Sequence, residues 1–433
     1  MGKSKATVVG RVVGGAVAVL IGIAACSSPV PEAGEAGAEI EVLSNFTSDV
    51  ARGKVLDQLM AEFNEAHEGQ YTVVSKPQPD WPTLQQQIRS RISADNAPDV
   101  FVYNYNPTDL SREESGQFMD WTKALEDDPD WAGRFKAGNL DALTINGEVV
   151  GIPGDQSPAL FYYSEELFAQ AGISEFPSTW DDLVAVAQTL HDSGVGGIAM
   201  MTADDAWHTM NIFSYLATAA GGQDAYGPGA NLDSAAIETA AEYTARLLEL
   251  STPDAVGGNY AASSSNFVNG QAAMIVDGPW LISSIQSSMA DPCSVKVAPA
   301  PTFGTDVISP GYTVTDSLNV WAAAKQDDPK KAAGVVEWMK FFTSNEAAVR
   351  MAIDGEYPLA VDTQLTPADS ERASCQMAQV LEISNAAPTA VVQIARGITA
   401  AAQAELPSLL ESLALGQSTP AEFARGLDAA NDE

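Results

Sequence analysis

Aromatic side chains stand beside short polar ones at places where the sequence predicts strands to end. Trp207 lies next to His208 and close to Asp205, and Trp280 follows the Gly-Pro pair that ends an apolar run. A sugar presents apolar C–H faces and a rim of hydroxyls, so its site needs flat rings flanked by hydrogen-bonding groups. This pattern predicts a site for a polyhydroxylated ligand, although a Trp at position 280 is equally compatible with packing in the core.

The same reasoning extends to other predicted loops. Asn45 and Phe46 follow the first strand, and two Tyr and two Asn alternate on one short loop. The predicted ligand-binding residues are Asn45, Trp81, Tyr103, Asn104, Tyr105, Asn106, Asp155, Gln156, Tyr162, Asp205, Trp207, His208, Trp280 and Tyr357. The other Trp residues fall in helices or strands and are predicted to lie in the core; they are Trp121, Trp131, Trp180, Trp321 and Trp338. The candidate loops contain no Arg or Lys cluster, so a neutral ligand is expected rather than a phosphate.

The elements that position these loops alternate between strands and helices from Glu39 onwards. Apolar runs predict strands at residues 39–43, 71–75, 99–103 and 160–163. Amphipathic periodicity predicts helices at residues 54–65, 81–92, 164–171, 180–191, 209–219, 234–250, 329–343, 344–353 and 388–415. Such alternation predicts an α/β protein with mostly parallel sheets, in which ligands bind beyond the carboxyl ends of the strands.

The N-terminus predicts export. A basic segment without acids precedes an uninterrupted apolar run, residues 12–25, which ends in small residues before Cys26. A membrane-spanning helix is the alternative, but at ~1.5 Å per residue this run reaches only about 21 Å of a ~30 Å hydrocarbon core. Residues 1–25 are therefore predicted to be a cleaved signal peptide. Residues 26–39, rich in Ser, Pro, Gly, Ala and Glu, are predicted to be a flexible tether.

Composition limits the classes of partner and cofactor. A net charge of −35 opposes binding to nucleic acid or anionic lipid and is typical of a solvated, secreted surface. Besides Cys26, Cys293 and Cys375 form an even pair in an oxidising compartment, which predicts a disulfide, with two buried thiols as the alternative. The three histidines are scattered and no Cys-x-x-Cys motif occurs, so neither a metal nor another cofactor is expected.

Several short motifs occur in the order that one family shows. They are residues 97–101 (Ala-Pro-Asp-Val-Phe), 151–153 (Gly-Ile-Pro), 161–173 (starting Phe-Tyr-Tyr-Ser), 177–180 (Pro-Ser-Thr-Trp) and 267–280 (from Phe-Val-Asn-Gly to Gly-Pro-Trp). Each is weak alone, but their order over about residues 40–430, behind a signal that resembles a bacterial lipoprotein signal, is specific. The chain resembles the family 1 extracellular solute-binding proteins, the maltose-binding-protein-like receptors of ABC importers.

The resemblance implies a two-lobed, type II periplasmic-binding-protein-like fold, in which each lobe is a mostly parallel sheet flanked by helices. Lobe I would comprise residues 40–154 and 312–360, and lobe II residues 155–311 and 361–433. The crossing segments would lie near residues 155–158, 310–313 and 357–361. The resemblance also implies that Trp207 and Trp280 stack on sugar rings, and that Cys293 and Cys375 lie in the same lobe.

The implied function is that of a monomeric, non-enzymatic receptor on the outer face of the membrane, anchored through an acylated Cys26. It would bind a sugar or oligosaccharide between its lobes and dock on an ABC permease. One alternative keeps the fold but changes the ligand to a polyol, a glycerol phosphodiester or a peptide, and another is a signalling receptor without a transporter. An extracellular glycosidase, which needs two carboxylates ~5–10 Å apart, is a third alternative.

Overall fold

The computed structural model describes residues 37–104, 116–135, 139–155, 157–227, 229–315 and 319–432. The strands are β1 Ala38–Ser44, β2 Tyr71–Pro77, β3 Val100–Asn104, β4 Thr144–Ile145, β5 Glu148–Val149, β6 Ile152–Asp155, β7 Pro158–Ser164, β8 Met274–Asp277, β9 Val295–Ala298, β10 Thr313–Thr315, β11 Asn319–Ala323 and β12 Ala390–Val392. The helices are α1 Ala51–Ala66, α2 Trp81–Ser93, α3 Thr122–Asp127, α4 Pro129–Ala132, α5 Asn139–Ala142, α6 Glu165–Gln170, α7 Trp180–Asp192, α8 Trp207–Gly221, α9 Ala235–Glu249, α10 Tyr260–Val268, α11 Leu281–Ser288, α12 Pro329–Phe342, α13 Asn345–Ile353, α14 Pro367–Arg372, α15 Cys375–Ala386, α16 Ile394–Gly397, α17 Ala400–Ala414 and α18 Pro420–Asn431.

The first sheet has the strand order β2-β1-β3-β11-β6. β1 runs parallel to β2 and β3, because α1 and α2 carry the chain back to the same end of the sheet between these strands. β11 runs antiparallel to both β3 and β6. Both β6 and β11 adjoin segments that lead to or from the second sheet, so no crossover helix fixes their direction.

The second sheet has the order β12-β10-β7-β8, and β9 also pairs with β7. β10 and β12 are parallel, whereas β7 runs antiparallel to β8, β9 and β10. Both sheets are therefore mixed, which corrects the expectation of mostly parallel sheets. The α/β class itself is confirmed.

Two expected element boundaries are wrong. The helix expected at residues 388–415 is replaced by β12, α16 and α17, because Ala390–Val392 forms a parallel ladder with Thr313–Thr315. The tether was expected to include residues 38 and 39, but both belong to β1, where they pair with Tyr71 and Thr72. From sequence alone, a short stretch of this kind fits a strand as well as a helix or a loop, and only pairing with a neighbouring strand decides between them.

The start of α7 illustrates local agreement between sequence and structure. The side chain of Thr179 is the N-cap and accepts a hydrogen bond from the backbone N–H of Asp182. Asp181 and Asp182 occupy the first turn, where negative charge is favoured by the helix dipole. Trp180 follows the cap and is fully buried, as predicted.

The first sheet packs against one hydrophobic core, and the second sheet packs against two, one on each face. The first core packs α1, α2, α12 and α13 around the first sheet. β7 supplies both cores of the second sheet, because alternate residues point to opposite faces: Phe161 contributes to one cluster, and Leu160 and Tyr162 to the other. The five Trp residues predicted to lie in the core are buried, which confirms that prediction; they are Trp121, Trp131, Trp180, Trp321 and Trp338.

The chain passes between the sheets at three places. β6 ends at Asp155 and β7 begins at Pro158, and β10 in the second sheet ends four residues before β11 begins in the first. Val361 still packs in the first core. Cys375, fourteen positions further on, forms a disulfide with Cys293 beside β9, with 5.8 Å between the two Cα atoms.

Candidate functional site

Three aromatic side chains cluster at the ends of elements around the second sheet. Trp207 begins α8, Trp280 is the N-cap of α11, and Tyr260 begins α10. The ring centroids of Trp207 and Trp280 are 5.4 Å apart, and Trp280 Nε1 donates a 2.9 Å hydrogen bond to the Tyr260 hydroxyl. Trp280 is partly exposed, so this cluster offers a flat ring beside a tyrosine hydroxyl.

A fully buried carboxylate, Asp277, lies behind these rings at the end of β8. It accepts hydrogen bonds from the Tyr260 hydroxyl at 3.1 Å and from the Gly278 N–H at 2.7 Å, and His208 Nε2 lies 3.2 Å from Oδ2. The other His208 nitrogen, Nδ1, lies 2.9 Å from Ser263 Oγ. Burial and the charge of Asp277 raise the pKa of Tyr260 well above its ordinary value, so Tyr260 remains a protonated donor.

A second buried carboxylate, Asp155, lies where the chain leaves the first sheet. The Tyr357 hydroxyl and Asn319 Nδ2 both donate to Asp155 Oδ2, the latter at 2.7 Å, and the Ser157 N–H donates to Oδ1 at 3.3 Å. Burial and the neighbouring Asp155 raise the pKa of Tyr357 well above its ordinary value. The Tyr357 ring packs against Phe46 with 4.9 Å between centroids.

Arg52, in the first turn of α1, extends this second cluster. Its Cζ lies 5.2 Å from the centroid of the Phe46 ring and 5.8 Å from that of Tyr357. Its Nε is buried and has no hydrogen-bond partner among the described residues. Burial lowers the pKa of Arg52, and the nearby Tyr357, Tyr260 and Asp155 oppose that shift.

Gly53 explains how α1 can begin so close to the loop that follows β1. A Cβ atom at position 53 would lie 2.0 Å from the carbonyl oxygen of Thr47, so any other residue would force the loop and the helix apart. Gly53 therefore holds Arg52 next to the Phe46 ring.

The two clusters meet at the junction between the sheets. Trp280 packs against the core of the first sheet and against that of the second. The backbone N–H of Ala51, at the start of α1, donates a 3.3 Å hydrogen bond to Ser283 Oγ in α11. Arg52 and Tyr260 are close enough to interact electrostatically. The combined site therefore has aromatic rings and buried carboxylates from both halves of the chain.

Three predicted residues lie in or beside the first core. Tyr103 is in β3 and packs its ring 6.3 Å from Phe101 and 6.5 Å from Phe118. Trp81 is partly exposed at the start of α2 and packs against the same core, and Asn45 is half-buried just after β1.

Besides Trp207, His208 and Trp280, two other predicted residues lie in the second half. Tyr162 is fully buried in β7 and donates a 3.4 Å hydrogen bond to the carbonyl of Gly278. Asp205 forms an ion pair with Arg396 at 3.6 Å on a partly exposed surface. Asn104 is the last residue of β3, and Cys26, Tyr105, Asn106 and Gln156 lie outside the described residues.

Sequence reasoning missed Asp277, Tyr260 and Arg52. Asp277 had a usable signal, because it directly follows an apolar strand and precedes the Gly-Pro-Trp turn. Tyr260 begins a Ser-rich helix, and Arg52 follows Phe46 by six positions inside a helix, so neither stands at a recognisable strand end.

Within the described residues, no group of three or more His, Cys, Asp or Glu side chains is placed to hold a metal ion. None of the helices in the described part combines the length and the hydropathy that a membrane crossing requires.

The family model for the bacterial extracellular solute-binding proteins matches residues 47–349. The chain belongs to this family. The match confirms the resemblance carried by the motifs between residues 97 and 280.

Curated members of the family are distant in sequence. The maltodextrin-binding protein of Bacillus subtilis (strain 168) is 21% identical over 381 residues, which cover 85% of this chain and 84% of that protein. The lactose-binding protein of Rhizobium radiobacter is 23% identical over 223 residues, which cover 47% of this chain and 48% of that protein. A binding protein of Brucella abortus (strain 2308) is 24% identical over 284 residues, 61% of this chain, and the chain spans 65% of its length.

Solved structures confirm the fold. A chitin oligosaccharide binding protein aligns with a TM-score of 0.77 at 18% identity, over 92% of this chain and 98% of that one. A structure from work on xylan utilisation by a thermophilic Caldanaerobius polysaccharolyticus aligns with a TM-score of 0.78 at 20% identity, over 90% and 99%. The solute-binding protein has the two-lobed, type II periplasmic-binding-protein-like fold.

Proposed function

We propose that this solute-binding protein is an extracytoplasmic receptor that binds a sugar or oligosaccharide between its two halves and delivers it to an ABC import permease. The observation that supports this most directly is the cluster of Trp207, Trp280 and Tyr260, because flat aromatic rings beside a hydroxyl group suit the faces and rim of a sugar. The maltodextrin-binding and lactose-binding names of two relatives point in the same direction.

We propose that binding works by domain closure. The first sheet with its helices would form lobe I and the second sheet lobe II. The chain would cross between β6 and β7, after β10 and after Val361. The second crossing then lies beyond residues 310–313, where the resemblance placed it, because β10 pairs within the second sheet. A ligand at Trp280 would touch both halves only when they are close together, so it would shift the population towards the closed state.

The receptor would carry out no catalytic step. The two buried carboxylates of the site, Asp155 and Asp277, each accept hydrogen bonds from neighbouring side chains of the protein itself. A glycosidase would instead need one free acid and one free nucleophile or base directed at the scissile bond. Asp155 and Asp277 are therefore suited to positioning tyrosine hydroxyls.

We also propose that the protein acts as a monomer held on the outer face of the membrane through a lipid on Cys26. A Cys26→Ser variant should then appear in the culture medium rather than in the membrane fraction. Retention of that variant in the membrane fraction would contradict the lipid anchor and leave the receptor proposal intact.

A thermal-shift screen of the purified protein tests the ligand class. Sugars, polyols, amino acids and phosphodiesters would be added separately, and a ligand at about 100 times its Kd should add about 2.7 kcal/mol of stability. A response to one class of glycan supports a carbohydrate receptor. A response to another class alone would refute the sugar assignment while keeping the two-lobed receptor.

A further inference from the structure

Arg52 brings a positive charge into the site, and its buried Nε lacks an acceptor among the described residues. Phe46 and Tyr357 contact the guanidinium through their rings, at 5.2 and 5.8 Å from Cζ. Aromatic rings stabilise a cation over their π-faces but accept no hydrogen bond from its planar edge in the way a carboxylate does. Arg52 therefore has donor capacity that the protein does not use.

Two carboxylates act electrostatically on Arg52, the buried Asp155 and the exposed Asp49. Asp155 accepts hydrogen bonds from Tyr357 and Asn319. Asp49 lies in the turn before α1, where its side chain is hydrogen-bonded to Thr47. Both carboxylates thus have other hydrogen-bond donors.

The N-terminus of α1 adds positive potential at the same place. α1 spans sixteen residues, and its N-cap, Val50, has no side-chain oxygen to accept from the first-turn amides. An uncapped helix N-terminus favours a negative group. The Ala51 N–H points to Ser283 of α11, so this helix end faces the second half of the protein.

We infer that Arg52 makes the site selective for a sugar that carries a carboxylate. Such a ligand is a uronic acid or an oligosaccharide that contains one. This inference rests on the proposed sugar-receptor function. The planar guanidinium would hold the carboxylate through two parallel N–H···O bonds, and the rings around Trp280 would stack on the sugar. The ligand would thereby supply the acceptor that Arg52 lacks.

Isothermal titration calorimetry with matched saccharides tests this inference. The probes are galacturonate, its di- and trisaccharides, glucuronate, and the neutral methyl ester of each, which removes the charge and adds one methyl group to the carboxyl. The wild-type protein should bind at least one uronide about tenfold more tightly than its ester, since charge-assisted pairs are about twice as strong as neutral ones.

The variants separate charge from shape. Arg52→Gln should lose the preference for the uronide but keep the affinity for the ester, and Arg52→Lys should keep only part of the preference because Lys lacks the planar fork. The matched control is Arg89→Gln, which removes an equal charge from an exposed position on α2 and should leave the preference unchanged. Melting temperatures would confirm that each variant is folded.

The outcomes distinguish this inference from the proposed function. Tight binding of neutral saccharides by the wild type, with no preference for any uronide, overturns the role of Arg52 and leaves the sugar receptor standing. A preference that survives Arg52→Gln overturns it as well. Absence of binding to every saccharide, neutral or acidic, overturns both.

Discussion

The Glu356→Gln variant should become more stable relative to the wild type as the pH rises from 5 to 8. The Glu356 side chain is 7% exposed, and its Oε2 is buried without a hydrogen-bond partner among the described residues. The residue precedes Tyr357 of the site and has a positive φ of 52°. Burial raises the pKa of Glu356 from 4.5 to about 7, although a hydrogen bond with Ser374 opposes the rise.

The direction of the effect follows from the proton balance. Between pH 4.5 and about 7 the unfolded chain has an ionised Glu356, whereas the folded protein keeps it protonated and so binds one more proton. Stability from this group therefore falls as the pH rises through that window. At ~1.4 kcal/mol per pKa unit, the loss is about 3 kcal/mol once the pH exceeds the folded pKa.

Urea unfolding at several pH values between 5 and 8 measures this loss. The difference in unfolding free energy between Glu356→Gln and the wild type should shift by about 2.5 kcal/mol in favour of the variant over that range, because part of the total loss occurs below pH 5. Glu382→Gln, at an exposed position on α15, is the control and should show no such shift. A constant difference between the Glu356→Gln variant and the wild type at all pH values would refute the reasoning.

Three further predictions concern the site and the disulfide. Trp280→Ala should weaken binding of the cognate sugar by about 1–3 kcal/mol in calorimetry without loss of fold, and an unchanged affinity would assign Trp280 to the core. Replacing both Cys293 and Cys375 with Ser should lower the unfolding free energy by up to about 4.5 kcal/mol, because the bond closes a sequence separation of 82 residues; a urea midpoint equal to that of the wild type would contradict this. Asp277→Ala should cost about 3–5 kcal/mol in urea unfolding, since it leaves His208 and Tyr260 without their buried acceptor, and a cost below about 1 kcal/mol would disprove that role for the carboxylate.

Much of the fold was predictable from local patterns. The predicted helix at residues 54–65 lies within α1, and the predicted strand at residues 71–75 lies within β2, because amphipathic period and apolar runs are properties of neighbouring residues. The mixed strand directions were not predictable in this way. In the first sheet they depend on β6, which leads into β7 of the second sheet, and on β11, which follows β10 of the second sheet.

The sequence by itself determined the family, the alternation of helices and strands, the buried Trp residues and three aromatic residues of the candidate site, Trp207, Trp280 and Tyr357. Only the tertiary structure decided which polar groups meet them. Arg52, Asp155 and Tyr260 are separated by about a hundred residues each along the chain, yet electrostatic interaction links them. They lie close together because the two sheets are built from interleaved segments of the chain, which brings distant loop ends to the same place. The spacing of residues in the sequence does not predict this proximity.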